Sequence, residues 1–93
     1  MDKYYELIKY SNPETVFNKA EQLGYNIKIS TRKNKKYMVE VNPNVWQHFG
    51  QMGYEDATKH NDQIRINNFK KRNWRWALRD KYSPAYLSYT LLW

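Results

Sequence analysis

The sequence contains no cysteine, and this absence excludes disulfide bonds and thiolate zinc sites. A cysteine-free chain suits a reducing compartment, so we expect an intracellular protein. No stretch approaches the roughly 18 to 20 consecutive apolar residues that cross a bilayer. The N-terminal residues 1–10 also lack the order of a signal peptide, in which basic residues precede an apolar run. We therefore expect a protein that is neither secreted nor membrane-spanning.

Acidic residues are scarce and unevenly placed. The chain has 16 Lys and Arg against 9 Asp and Glu, a formal net charge of +7. Residues 1–57 carry 8 basic and 7 acidic residues, whereas residues 58–93 carry 8 basic and only 2 acidic ones. The C-terminal third therefore predicts a positive field that attracts a polyanion.

Aromatic residues are abundant, with 4 Trp and 9 Tyr among 93 residues. A chain of this length predicts one domain, spanning residues 1–93, around one hydrophobic core. So small a core cannot enclose every ring, so some Tyr and Trp should lie at the surface or in an interface. A macromolecular partner or a second copy of the chain would supply such an interface.

The first half of the chain predicts two helices. Tyr4, Leu7 and Ile8 are spaced for a helix over Asp2–Tyr10. Asn12 before Pro13 is a typical helix start, and Gly24 is a typical helix end. The second helix is therefore expected over Pro13–Leu23. Its inward stripe consists of Val16, Phe17, Ala20 and Leu23.

Alternating apolar residues then predict three strands. The runs Tyr25–Ile29 and Tyr37–Val41 alternate with period two, and Val45–Phe49 follows an Asn-Pro-Asn turn. The basic segment Arg32–Lys35 reverses the chain between the first two runs. The expected fold is α+β, with a small three-stranded antiparallel sheet flanked by helices.

The last part of the chain predicts two more helices. One should run from about His60 to Trp76, capped by Thr58 or Asn61, with Ile66 and Phe69 on its buried face. The other is expected over Ala85–Trp93, because Ser83-Pro84 repeats the cap-then-proline pattern. Its buried residues should be Leu87, Leu91 and Leu92. Gly50 and Gly53 bracket a loop that we expect to need positive φ.

Several segments resemble one known group of proteins. They are Ser30–Met38, His48–Asp56, Thr58–His60 with Asp62 and Arg65, Ser83-Pro84, and Leu87-Ser88 with Leu91–Trp93. Together they resemble an uncharacterised family of small proteins encoded by large double-stranded DNA viruses of the phycodnavirus and mimivirus type. The resemblance covers about the last two-thirds of the chain. It implies a viral source and a family fold, and no activity.

The candidate binding site consists of two basic segments, Lys28–Lys36 and Lys70–Arg79. Lysine and arginine side chains there would contact phosphates and release counterions without reading sequence. The competing interpretation is an ordinary solvated charged surface. Tyr37, Trp46, Trp74 and Trp76 are candidates for stacking on unpaired bases, with Trp74 or Trp76 favoured. The expected nucleic-acid contacts are Arg32, Lys33, Lys35, Lys36, Lys70, Lys71, Arg72, Arg75, Arg79 and Trp74.

Three functions follow as hypotheses. The first is phosphate-mediated binding of nucleic acid, with DNA the expected target rather than RNA, in a virion or inside an infected cell. The second is a minor structural virion protein that contacts capsid proteins through charge and rings. The third is a metal-dependent nuclease using His48, Asp56, His60 and Asp62. We expect no enzyme, cofactor or metal, because the acidic residues can equally stabilise helix starts or pair with Arg65.

Overall fold

The computed structural model describes residues 3–93. It contains short helices packed around one sheet. The helices are α1 (Lys3–Leu7), α2 (Pro13–Gln22), α3 (Ala57–His60), α4 (Gln63–Arg72) and α5 (Pro84–Leu87), together with a 3₁₀ helix (Trp74–Leu78) and a π-helical turn (Ser88–Leu92). The strands are β1 (Ile27–Ile29), β2 (Lys35–Asn42) and β3 (Val45–Gln51). Asp2, with which the first expected helix begins, lies outside the described residues.

The sheet has the order β1-β2-β3, and both strand pairs are antiparallel. Tyr37 on the central strand faces Ile29 on one side and Phe49 on the other. Val39 faces Ile27 in the same way. The expected α+β fold with a three-stranded antiparallel sheet is therefore confirmed, although β1 is shorter than the pattern suggested.

Helix α2 starts as the sequence indicates. The Asn12 side chain accepts a hydrogen bond from the Thr15 N–H at 3.3 Å, and Pro13 occupies the first turn. Gly24 follows the helix with a φ of 83°, the left-handed conformation that glycine adopts without steric cost. The helix ends at Gln22, and Leu23 is 55% exposed, so its expected place in the core is wrong.

The core joins α1, α2, the sheet and the C-terminal segment. Its fully buried members are Leu7, Val16, Ala20, Tyr37, Val39, Phe49, Leu87 and Leu91, with Leu92 almost fully buried. Ser83 caps α5 by accepting a hydrogen bond from the Tyr86 N–H, which confirms the expected helix start. The expected burial of the three C-terminal leucines is also confirmed. Each buried leucine stabilises the fold by about 1.5–3 kcal/mol relative to an exposed one.

The expected single helix from His60 to Trp76 is wrong. Asn61 ends α3 in the left-handed conformation, with a φ of 49°. Asp62 then caps α4, because its carboxylate accepts hydrogen bonds from the N–H groups of Ile64 and Arg65. The backbone leaves the α conformation again at Asn73, after which the 3₁₀ helix begins. The caps are therefore Asp56 for α3 and Asp62 for α4, not Thr58 or Asn61.

Candidate nucleic-acid interface

Residues 63–79 form a basic arm on the outside of the fold. The arm comprises α4, Asn73, the 3₁₀ helix and Arg79, and none of these residues is fully buried. Ile66 and Phe69, expected on a buried face, are only half-buried. The arm carries the cations Arg65, Lys70, Lys71, Arg72, Arg75 and Arg79.

Most cations of the arm have no carboxylate partner. Within residues 3–93, the ion pairs are Lys36 with Asp56 and Arg65 with Glu55. Lys70 instead lies over the Tyr89 ring at 5.5 Å, and Arg75 lies 5.3 Å from the Trp74 ring centre. The remaining arm cations, Lys71, Arg72 and Arg79, are exposed. The arm therefore presents positive charge that internal acids do not neutralise.

A second positive region lies at the end of the sheet. We call Lys3, Arg32, Lys33 and Lys35 the sheet-end patch. Arg32 and Lys33 are exposed in the turn between β1 and β2, and Lys35 is half-buried at the start of β2. The Lys3 ammonium donates hydrogen bonds to the carbonyl oxygens of Ser30 and Arg32, which holds the turn against α1.

The positive charges of the sheet-end patch affect the pKa of His48. Burial lowers the pKa of His48, and the neighbouring charges of Arg32, Lys3 and Lys35 lower it further. The His48 Nδ1 and the Ser30 hydroxyl are 2.6 Å apart, so the ring is held beside the turn. Sequence reasoning did not include Lys3 in the patch, because α1 meets the turn only in the folded chain.

Lys36 does not belong to the surface, which corrects its expected role as a phosphate contact. Its side chain is 2% exposed. The ammonium donates to the carbonyl oxygens of Tyr10 (3.2 Å) and Tyr54 (2.6 Å) and to the Asp56 carboxylate (3.0 Å). Burial lowers the pKa of Lys36, and the charge of Asp56 opposes this effect. A buried lysine is rare unless it is paired, and this one has three acceptors.

Lys36 is one end of a chain of buried polar side chains. The Asp56 carboxylate accepts a hydrogen bond from the Thr58 hydroxyl as well as from Lys36. The Thr58 hydroxyl lies 3.2 Å from that of Ser11, which lies 2.7 Å from the hydroxyl of Tyr37. Tyr37, which we considered for base stacking, is therefore a core residue, and burial raises its pKa. This polar chain ties the sheet to the segments before α2 and α3.

The four residues considered for a nuclease do not form one site. Both carboxylate oxygens of Asp56 are hydrogen-bonded inside the fold. His60 accepts a hydrogen bond at Nδ1 from the Asp62 N–H (2.9 Å), and its ring packs 5.1 Å from that of Trp93. Among the described residues 3–93, no three His, Asp or Glu side chains are grouped so that they could hold a metal ion.

An aromatic groove of about 440 Å³ lies between the sheet end and the arm. Phe69 and Trp76 of the arm line it, together with Trp93. The Phe69 ring is stacked on Trp93, with centroids 4.1 Å apart and planes 5° apart, and it meets Trp76 edge to face at 5.5 Å. Lys35 and Gln51 at the end of the sheet line the same groove.

The four tryptophans lie in three different places. Trp76 and Trp93 line the groove, whereas Trp74 is 53% exposed on the arm beside it. Trp46 lies near the β2–β3 turn, where the Lys28 ammonium is 5.0 Å from its ring centre. Sequence spacing favoured Trp74 or Trp76 for stacking on bases but gave no reason to bring Trp93 beside Phe69.

The comparisons with known proteins identify a family. Within residues 3–93, each helix is too short or too polar to cross a membrane. No curated protein and no solved structure matches the chain. A family of unknown function, DUF5754, matches residues 25–73, a segment that contains the whole sheet and α4. The expected membership of an uncharacterised family is thus confirmed, and the chain belongs to DUF5754.

Proposed function

We propose that this protein binds nucleic acid through contacts to the phosphate backbone, with little or no reading of sequence. The observation that carries the proposal is the set of arm cations that have no carboxylate partner, Lys70, Lys71, Arg72, Arg75 and Arg79. Only Asp62 and Asp80 supply negative charge in residues 58–93, and the Asp62 carboxylate already caps α4.

Phosphate binding follows from the chemistry of these side chains. Arginine presents a planar fork of donors that matches phosphate oxygens, and lysine adds a compact positive charge. Their contact with a phosphate backbone releases condensed counterions, so the affinity falls as salt rises. Arg32 and Lys33 of the sheet-end patch would extend the contact surface beyond the arm.

A salt titration tests the proposal. Six exposed cations of the arm and the sheet-end patch would each neutralise one phosphate, namely Lys71, Arg72, Arg75, Arg79, Arg32 and Lys33. A logarithmic plot of the duplex DNA association constant against salt concentration should then have a slope of about −5. Fluorescence anisotropy of a labelled duplex measures it. A flat salt dependence, or no binding at low salt, contradicts phosphate contact.

A pair of double variants shows whether the arm provides the contacts. Replacing Lys71 and Arg75 by Gln removes two charges from the arm, and the slope should become less steep by about 2. Replacing the exposed Lys9 and Lys59 by Gln removes the same net charge elsewhere. If both double variants weaken binding equally, the effect comes from net charge and the arm has no special part in it.

A protein partner is the second candidate function. Three apolar side chains of the arm are strongly exposed, namely Ile64 (74%), Leu78 (76%) and Trp74 (53%). Exposed apolar patches often mark protein–protein contact sites, and such interfaces are enriched in tryptophan and arginine. The resemblance to proteins of large DNA viruses suggests a capsid protein as the partner, in a virion or an infected cell. Binding to purified capsid protein that persists at high salt, with no binding to DNA, would favour this function.

A further inference from the structure

We propose that the aromatic groove accepts an unpaired nucleobase, so that the protein prefers single-stranded nucleic acid to a duplex. This inference rests on the proposed binding of nucleic acid and specifies its form. The groove joins the two positive regions, because Lys35 of the sheet-end patch and Phe69 and Trp76 of the arm all line it.

The volume and lining of the groove suit a small ligand with an apolar face. Its volume of about 440 Å³ lies within the roughly 300–1,000 Å³ of typical small-ligand sites. Pro84, Ala85 and Leu92 add apolar surface to the rings of Trp76 and Trp93. Aromatic side chains bind bases of any sequence, because every base has a π face.

The charges around the groove select a nucleotide over an uncharged aromatic ligand. Lys35 lines the groove directly. Arg72 lies three residues after Phe69 in α4 and therefore on the same side of the helix. Cations therefore lie beside an aromatic surface. A nucleotide needs both, because its base stacks on rings and its phosphate pairs with cations.

The acidic residues of the groove do not cancel this attraction. Asp56 and Glu55 are the acids that line it. Asp56 is paired with the buried Lys36 at 3.0 Å, and Glu55 is paired with Arg65 at 3.4 Å. Both carboxylates that border the groove are therefore already matched by cations, and Lys35 is the charged lining residue outside these ion pairs.

A preference for single strands follows from the cost of exposing a base. In a duplex the bases are paired and stacked, so a base can enter the groove only after it is unstacked. A single strand presents its bases at much lower cost, while its phosphates still reach the arm. Phosphate contacts alone would give no such preference.

The experiment compares an oligothymidine of roughly ten nucleotides, a typical length for one single-strand site, with a duplex of the same length. Fluorescence anisotropy measures both affinities in the full chain. The oligothymidine should bind more tightly than the duplex. Trp76→Leu should weaken oligothymidine binding about tenfold or more and should weaken duplex binding much less.

Trp46→Leu is the matched control. Trp46 on β3 faces Glu40 on β2. Glu40 lies five residues along β2 from Lys35, which lines the groove, so Trp46 is about 17 Å from the groove along the strand direction. This variant should bind the oligothymidine as the unsubstituted protein does. Ala85→Leu fills the groove without removing a ring, so it tests the site even if Trp76→Leu loosens the arm, which circular dichroism would reveal.

The outcomes separate the two proposals. Equal affinity for single strand and duplex, with a steep salt dependence, overturns the groove proposal and leaves phosphate binding intact. If neither Trp76→Leu nor Ala85→Leu weakens oligothymidine binding, the groove does not hold a base and is left for an apolar protein segment. No binding to either nucleic acid contradicts the proposed function itself, and the groove proposal falls with it.

Discussion

The central strand and the basic arm are built in opposite ways. In β2, four consecutive residues, Lys36–Val39, are buried, and the charged Lys36 is buried with the apolar residues that follow it. Along the arm, residues 63–79, no residue is fully buried. The strand is paired with a neighbouring strand on each edge, whereas the arm packs against the C-terminal segment through its 3₁₀ helix and through the stack of Phe69 on Trp93.

The difference in burial suggests a structural role for the central strand and a binding role for the arm. Segments with few buried contacts open at lower free energy than the core, and binding surfaces are often found in such segments. The charges show the same division. The lysine inside the core is matched by Asp56, whereas most cations of the arm face water without a carboxylate partner. The core maintains the fold, and the arm carries the surface that we propose binds phosphate.

The largest expected effect comes from breaking the buried ion pair. Asp56→Ala removes the carboxylate that accepts from Lys36 and Thr58, and it leaves the Lys36 charge buried without compensation. The free energy of unfolding should fall by about 3–5 kcal/mol. Urea denaturation measures the change.

Glu55→Ala is the matched control for this prediction. Glu55 precedes Asp56 and also pairs with a cation, but both Glu55 and Arg65 are exposed. Its removal should cost less than about 1 kcal/mol. Similar losses in the two variants would show that burial of the Lys36 pair does not matter to stability.

A smaller effect is expected from loosening the arm. Phe69→Ala removes the ring that joins the arm to Trp93 and Trp76. Because Phe69 is only half-buried, the loss of stability should be about 1–2 kcal/mol, below the usual cost of a core phenylalanine. Hydrogen exchange should accelerate in α4 and remain unchanged in β2. Faster exchange in β2 to the same extent would show that the arm and the sheet unfold as one unit.

The smallest effect concerns the pKa of His48. Besides burial, Arg32, Lys3 and Lys35 lower it. A bound polyanion would offset these positive charges, so the pKa should rise by a fraction of a unit on DNA binding. NMR titration of the ring protons measures the change. An unaltered pKa in a protein saturated with DNA would mean that the sheet-end patch takes no part in binding.

Several elements of the fold could be predicted from the local sequence alone. Asn12, Pro13 and Gly24 mark α2 because caps and positive φ are properties of single residues. Alternating apolar residues identified the three strands. The break at Asn61 could also have been predicted, because Asp62 directly before Gln63 is a typical helix cap. The run of basic residues favoured one continuous helix instead.

The parts that could not be predicted depend on contacts between distant residues. Lys36 resembles its neighbours Lys33 and Lys35 in sequence, and only the approach of Tyr54 and Asp56 buries it. The aromatic groove likewise requires Trp93 to meet Phe69, 24 positions earlier in the chain. Most of the candidate phosphate contacts could be chosen from charge alone, whereas the groove between them could not.

The most direct test of the central claim is an NMR footprint of duplex DNA on the ¹⁵N-labelled protein at low salt. The account predicts that the largest changes occur at Lys71, Arg72, Arg75 and Arg79, with smaller ones at Arg32 and Lys33, and that they diminish as salt is added. Changes spread evenly over the surface, centred on Lys9 and Lys59, or absent altogether would contradict it.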